Sequence, residues 1–198
     1  MSKLFIFDMG GVVANHTNVI SSIADFLEIT EEQFFQFAGQ NWLNLLCGKI
    51  NSQQFWKYFS KRIYRNIETD LFEKFFHPTL NQEIVEIIKE LKEKHRIVCG
   101  TNTIEIHYQI HLKNGDYCFF DHVYASHLLG MAKPESRFYQ YIIDKERVGL
   151  DKAIFIDDTL ENVIAARKMG IKSIHFVDTY SLKNILANYS YVNGHKII

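Results

Sequence analysis

The chain lacks an excess of either charge: 22 Lys and Arg stand against 23 Asp and Glu, a formal net charge of −1 in 198 residues. Both signs are spread along the chain, so it carries no electrostatic footprint for a nucleic acid or a membrane surface, and neither is expected as a partner. Cysteine is scarce. Cys47, Cys99 and Cys118 are odd in number and far apart, which excludes a disulfide framework and any paired metal-ligand spacing. They read as reduced core residues of a cytoplasmic protein. No uninterrupted apolar run approaches the ~18 residues of a membrane span. The chain also enters its first strand by Leu4 with no charged segment and removable apolar stretch before it, so a soluble, unexported protein is expected. Proline is rarer still, with two residues that both punctuate: Pro78 in His77-Pro78-Thr79 and Pro134 after Lys133.

Apolar residues, by contrast, make up 47% of the chain, enough for a sizeable core in one domain or in a core with a smaller inserted module. Leu4-Phe5-Ile6-Phe7 is a short apolar run closed by Asp8-Met9-Gly10-Gly11, the pattern of a buried parallel strand whose carboxyl end carries a carboxylate. From about Asn18 to Phe76 the spacing turns helical and aromatic. Val19, Ile20, Ile23, Phe26 and Leu27 recur at helical intervals, Thr30-Glu31-Glu32-Gln33 resembles a capping box before Phe34, Phe35 and Phe37, and Ser52 opens a helix carrying Trp56, Tyr58, Phe59 and Ile63. About five helices with no strand among them predict an all-α insertion with its own core. The aromatic stripe reads as core before it reads as a binding face.

After His77-Pro78-Thr79 the pattern changes in kind. A helix after Asn81, strands over residues 96–100, 122–125, 153–156 and 173–176, and helices over 104–112, 135–145 and 161–169 alternate in strict turn. This predicts an α/β fold, a Rossmann-like parallel sheet with helices on both faces, with residues 1–15 and 79–198 as the core and 16–78 as an inserted all-helical cap. Residues 189–198 show no clear periodicity.

In open α/β sheets ligands bind beyond the carboxyl ends of the strands, and the polar residues there carry the chemistry. Asp8 is a candidate nucleophile or metal ligand, or an Asp that merely ends a strand. Thr101-Asn102-Thr103 offers a hydroxyl, an amide and backbone N–H groups suited to a phosphate, or an ordinary helix cap. Lys133, fixed in Gly130-Met131-Ala132-Lys133-Pro134, is placed to neutralise an anion. Asp157 and Asp158 are adjacent carboxylates that repel unless a cation compensates, and a hard oxygen-ligated ion such as Mg²⁺ is the natural partner.

Asp8, Thr101, Lys133 and Asp158, from four strand ends in this order, resemble the haloacid dehalogenase-like hydrolase superfamily over nearly the whole chain. Within it, Asp8-Met9-Gly10, Asp121-His122-Val123-Tyr124, Leu129-Gly130-Met131-Ala132-Lys133-Pro134-Glu135 and Ile156-Asp157-Asp158-Thr159-Leu160-Glu161-Asn162 look like the bacterial alpha-D-glucose-1-phosphate phosphatase group. The resemblance implies a Mg²⁺-dependent phosphatase acting on a small phosphate ester, a sugar phosphate such as glucose 1-phosphate being favoured. Asp8 would attack phosphorus to give an aspartyl-phosphate. Mg²⁺ would be held by Asp8, the Gly10 backbone carbonyl and Asp158, with Asp157 orienting Lys133 or a metal-bound water. Thr101, Asn102 and Lys133 would hold the phosphoryl oxygens, with Gly10 at the substrate side. Most phosphatases of the superfamily carry a second Asp, a general acid and base, where this chain has Gly10. His16 is a possible substitute donor, or a packed or surface histidine. His107 and His111, four apart with no Glu of a metalloprotease motif between them, read as ordinary helix residues. Two other functions compete: a 2-haloacid dehalogenase, which uses the same nucleophile on carbon without metal, and a catalytically silent phosphate-binding regulatory protein.

Overall fold

The computed structural model describes residues 2–191, with side chains described as far as residue 187. Strand β1 (Leu4–Phe7) is buried along its whole length. Alternate side chains of a strand point to opposite faces, and here both faces are covered. Leu4 and Ile6 pack with Phe138, Tyr139, Ile142 and Phe155, while Phe5 and Phe7 pack with Ile84, Ile88, Ile97 and Ile156. The remaining strands are β2 (Ala14–Asn15), β3 (Thr79–Leu80), β4 (Arg96–Thr101), β5 (His122–Ala125), β6 (Ala153–Asp157) and β7 (Lys172–His175). Five of them form one parallel sheet in the order β5-β4-β1-β6-β7. The chain builds outward from β1 to β4 and β5, then reverses to β6 and β7. Asp8 therefore emerges where the strand order reverses, the place such sheets bind ligands.

Between β2 and β3 lie α1 (Ile20–Leu27), α2 (Glu31–Ala38), α3 (Gln40–Leu46), α4 (Ser52–Ile63) and α5 (Leu71–Phe75). Their shared interior is aromatic: Phe34, Phe55, Phe59 and Phe72 are fully buried, and Trp42 and Trp56 pack among them. Trp56 keeps its indole N–H satisfied by donating to Asp70 Oδ1 at 3.0 Å. The capping box at Thr30 and Gln33 forms as expected, and a second one, built from Asn51 and Gln54, caps α4, which begins at Ser52 as expected. Each such cap is worth about 1 kcal/mol. Entry and exit of the helical block are tied by an antiparallel ladder, Ala14 with Leu80 and Asn15 with Thr79. Two residues per strand are too few for any periodicity, so this ladder leaves no sequence signal.

Helices α6 (Gln82–Lys92) and α11 (Thr179–Tyr191) cover the Phe5 and Phe7 face through Ile84, Ile88, Leu182 and Leu186. Helix α7 (Glu105–Asn114) joins the two parts, since Tyr108 packs on the sheet core whereas Ile104, Ile106 and Ile110 pack into the aromatic cluster. A short helix α8 (Ser126–Leu129), then α9 (Ser136–Glu146) and α10 (Leu160–Lys168), complete the chain order, the last two covering the Leu4 and Ile6 face. Gly48, just after α3, approaches α8 so closely that a Cβ there would lie 2.2 Å from the His127 carbonyl oxygen. Cys118 is exposed, unlike Cys47 and Cys99, which corrects its expected place in the core. Of residues 189–198, the first three continue α11 and the rest lie outside the described residues. No helix among the described residues is long and apolar enough to cross a membrane.

Candidate active site

Asp8 follows β1 at once, and its backbone N–H donates to the Ile156 carbonyl of β6 at 2.8 Å. The carboxylate is thereby fixed over the two central strands, 8% exposed. Its Oδ1 accepts from the Met9 N–H at 2.7 Å and from Lys133 Nζ at 2.9 Å, while Oδ2 has no hydrogen bond among the described residues. Burial, reinforced by Asp157 and Asp158, outweighs the attraction of Lys133 and pushes the Asp8 pKa up to about 7.

Lys133 reaches this point from the loop between α8 and α9 with its side chain fully buried. It donates to Asp157 Oδ2 at 2.7 Å as well as to Asp8. Burial opposes its charge, but the two carboxylates more than offset that and raise its pKa, so it stays an ammonium ion. The loop is clamped by Asn102, whose Nδ2 donates to the Lys133 carbonyl at 2.9 Å and whose Oδ1 accepts from the Lys133 N–H at 2.8 Å. The Asn102 amide is thus committed to the protein, which leaves only its backbone N–H for the phosphate contact expected of it.

Asp157 ends β6 and is completely buried. Besides Lys133 it accepts from the Thr159 N–H at 2.8 Å and from Asn162 Nδ2 at 3.0 Å, so it orients the lysine. Asn162, in the first turns of α10, is a site residue the sequence reading left without a role; a polar side chain one turn beyond the acidic pair was the available signal. Asp158 is exposed, yet partial burial and the neighbouring Asp157 raise its pKa. Oxygens of Asp8, Asp157 and Asp158 lie within 4.8 Å of one another, against one ammonium group. Hard oxygen donors with surplus negative charge fit a divalent cation, and Asp8 and Asp158 are the members not fully engaged by protein donors.

Gly11 makes this cluster possible. Its φ is +74°, and a Cβ there would come 2.1 Å from Asp158 Oδ2. Gly11→Ala is expected to lower stability by roughly 1–2 kcal/mol from the left-handed backbone alone. The urea midpoint, compared at equal m, measures the loss. Gly10 differs: a Cβ there would meet Thr17 Oγ1 at 2.9 Å, so the space a side chain would enter is filled by Thr17.

Thr101 closes β4 at 2% exposure. The cap reading of Thr101, Asn102 and Thr103 does not hold, because the N-cap of α7 is Ile104 with no side-chain capping bond. A cavity of about 100 Å³ sits beside these residues, lined among others by Gly10, Thr17, Thr101, His107, His111 and Tyr117. His16 is exposed and absent from that lining. His107 and His111 both lie in α7; His107 stacks on Phe76 with ring centroids 3.7 Å apart, and His111 is 3% exposed. A larger hollow of about 410 Å³ lies by Arg96 and His122, where β4 and β5 begin, at the edge of the sheet opposite the carboxylates.

The fold and these residues define a doubly wound α/β protein whose strand ends assemble a buried aspartate bonded through one oxygen, a buried lysine and an acidic pair. The chain belongs to the haloacid dehalogenase-like hydrolase family, whose model matches residues 5–176. It is 26% identical over 187 residues to the sesquiterpene phosphatase astK of Aspergillus oryzae, a match spanning 89% of this chain and 91% of that protein. Among solved structures, it resembles the HAD family enzyme bt-2542 of Bacteroides thetaiotaomicron in complex with magnesium and inorganic phosphate. That likeness has a TM-score of 0.75 at 21% identity and covers 92% of this chain and 99% of that one. A predicted HAD-like family hydrolase from Porphyromonas gingivalis aligns with a TM-score of 0.77 at 22% identity, over 94% and 98% of the two chains.

Proposed function

We propose that the protein is a Mg²⁺-dependent phosphomonoesterase, with a small polar phosphate ester as substrate and a sugar phosphate such as glucose 1-phosphate favoured. The observation that carries this reading is the asymmetry of Asp8. One oxygen is pinned between a backbone N–H and Lys133, and the other is clear of protein donors. A carboxylate so held is oriented for attack. Asp8 Oδ2 bonds to phosphorus, the bond from phosphorus to the leaving oxygen breaks, and water then cleaves the aspartyl-phosphate. Thr101, the Asn102 backbone N–H and Lys133 bind the phosphoryl oxygens, and each such donor is worth about 10²–10³ in rate. Asp157 holds Lys133 in place. Asp8, Asp158 and the Gly10 carbonyl are the residues to hold Mg²⁺, which supplies further neutralisation of the phosphoryl charge.

The phosphatase name of the Aspergillus oryzae relative and the magnesium and phosphate bound to the Bacteroides enzyme support the reaction class. The cavity beside Gly10 is lined by hydroxyl and imidazole groups together with Met9 and Phe76, which offers a leaving alcohol both polar and apolar contacts. Residues 16–78 act as the cap over this opening. The free cysteines accord with a cytoplasmic setting.

The test is phosphate release across sugar phosphates, nucleotides and acyl phosphates. Chelation with EDTA is expected to lower turnover at least about 10²-fold, since charge stabilisation worth several kcal/mol is removed, and added Mg²⁺ to restore it. Chloride released from 2-chloropropionate in EDTA, without phosphatase turnover, would instead establish a dehalogenase. Folded protein inert towards the whole panel would establish a binding role.

A further inference from the structure

A leaving alkoxide needs a proton, and no carboxylate stands at position 10 to give one. The cavity beside Gly10 is lined by His111, which pairs with Asp116 behind it. His111 Nδ1 lies 2.7 Å from Asp116 Oδ2, and the two residues are 3% and 8% exposed. A carboxylate only accepts, so Nδ1 bears the hydrogen and Nε2 is left as the titrating position. Nε2 has no hydrogen-bond partner among the described residues. Burial lowers the pKa of both imidazoles, but the Asp116 carboxylate opposes that shift at His111, whereas the Nε2 of His107 is 3.2 Å from the Phe72 carbonyl and so already engaged.

Tyr117 lines the same cavity beside His111. The residue is 7% exposed, and its hydroxyl is buried without a hydrogen-bond partner. An unsatisfied buried hydroxyl costs about 1–3 kcal/mol, which a polar atom of a ligand would relieve.

We propose that this cavity is the leaving-group subsite for a hydroxylated alcohol, with His111, held by Asp116, as its general acid and base and the Tyr117 hydroxyl as its hydrogen-bonding partner. This rests on the phosphatase reading above. As the bond from phosphorus to the leaving oxygen breaks, the protonated His111 gives its Nε2 proton to that oxygen and becomes neutral. In the second half, Nε2 takes a proton from the attacking water as the water oxygen bonds to phosphorus and Asp8 departs as carboxylate. The protonated imidazole is thus restored, and phosphate leaves.

The test compares the full-length protein with its His111→Gln and Tyr117→Phe variants on p-nitrophenyl phosphate, whose leaving group needs no proton, and on glucose 6-phosphate, whose leaving group does. His111→Gln is expected to lose about 10²–10⁴-fold in kcat/KM on the sugar phosphate. On p-nitrophenyl phosphate its kcat/KM, which reads only as far as release of p-nitrophenolate, should fall much less, while kcat falls on both substrates because hydrolysis of the aspartyl-phosphate loses its base. Equal losses of kcat/KM on both substrates, or none on either, overturn the assignment. Tyr117→Phe is expected to raise KM about three- to tenfold for the sugar phosphate alone, the worth of one hydrogen bond, and remains informative if His111→Gln fails to fold. An unchanged KM overturns the role of Tyr117. In the metal-free protein, ¹⁵N spectra should show neutral His111 protonated on Nδ1, and protonation on Nε2 would overturn the acid–base role. Native protein inert to both substrates would overturn the phosphatase reading itself, whereas normal p-nitrophenyl phosphate hydrolysis with unaltered leaving-group dependence in His111→Gln defeats this assignment alone.

Discussion

Asp8→Asn is expected to lower phosphate release by a factor on the order of 10⁴ or more, the scale on which removal of a covalent nucleophile acts, while the protein folds at least as stably as before. Both halves come from the same environment. The amide keeps the shape of the carboxylate and can accept from Met9, but it cannot form the acyl phosphate. The charged carboxylate, meanwhile, is a liability in the metal-free fold, because burial pushes its pKa up from 3.8 to about 7. A group whose folded pKa is raised favours folding most below its unfolded pKa and loses that contribution as pH climbs to the folded value. In EDTA the melting temperature of Asp8→Asn should therefore match the native protein near pH 4, exceed it increasingly towards pH 7 and keep a constant lead above that. A variant less stable than the native protein at pH 8 would mean that Lys133 more than offsets the burial of Asp8.

Lys133→Met is expected to be damaging in both respects. It leaves Asp8 and Asp157 buried without their cation, and breaking a buried ion pair by removing one partner costs about 3–5 kcal/mol. Turnover should fall by about 10²–10³ through the lost phosphoryl contact alone. Urea denaturation of the double variant Lys133→Met with Asp157→Asn separates the effects. Much of the stability should return, because Asn still fits the bonds from Thr159 and Asn162, but none of the activity. Recovery of turnover in the double variant would remove Lys133 from the phosphoryl site.

The strand ends were readable because each obeys a local rule: four buried apolar residues before Asp8, and Ile154-Phe155-Ile156 before the acidic pair, have no other comfortable conformation. The aromatic helices were readable for the same reason, with amphipathic spacing punctuated by caps. What stayed hidden was set by distance along the chain. Asn102 and Lys133 are 31 residues apart, and nothing local marks an amide as a clamp for a remote loop. His111 and Asp116 are near neighbours in sequence, but their meaning depends on α7 lying between the sheet and the aromatic block. Gly10 was legible as an absence. Thr17 filling its space, and the His111–Asp116 pair beside the same cavity, needed three dimensions.

The ladder that pairs Ala14–Asn15 with Thr79–Leu80 has an evolutionary consequence. Because the chain leaves and re-enters the α/β body at adjacent positions, the excursion between them can lengthen, shorten or be exchanged without altering the register of β1 against β4 and β6. An exchanged segment would then have to match the contacts that Ile104, Ile106, Ile110 and His127 make with the present one.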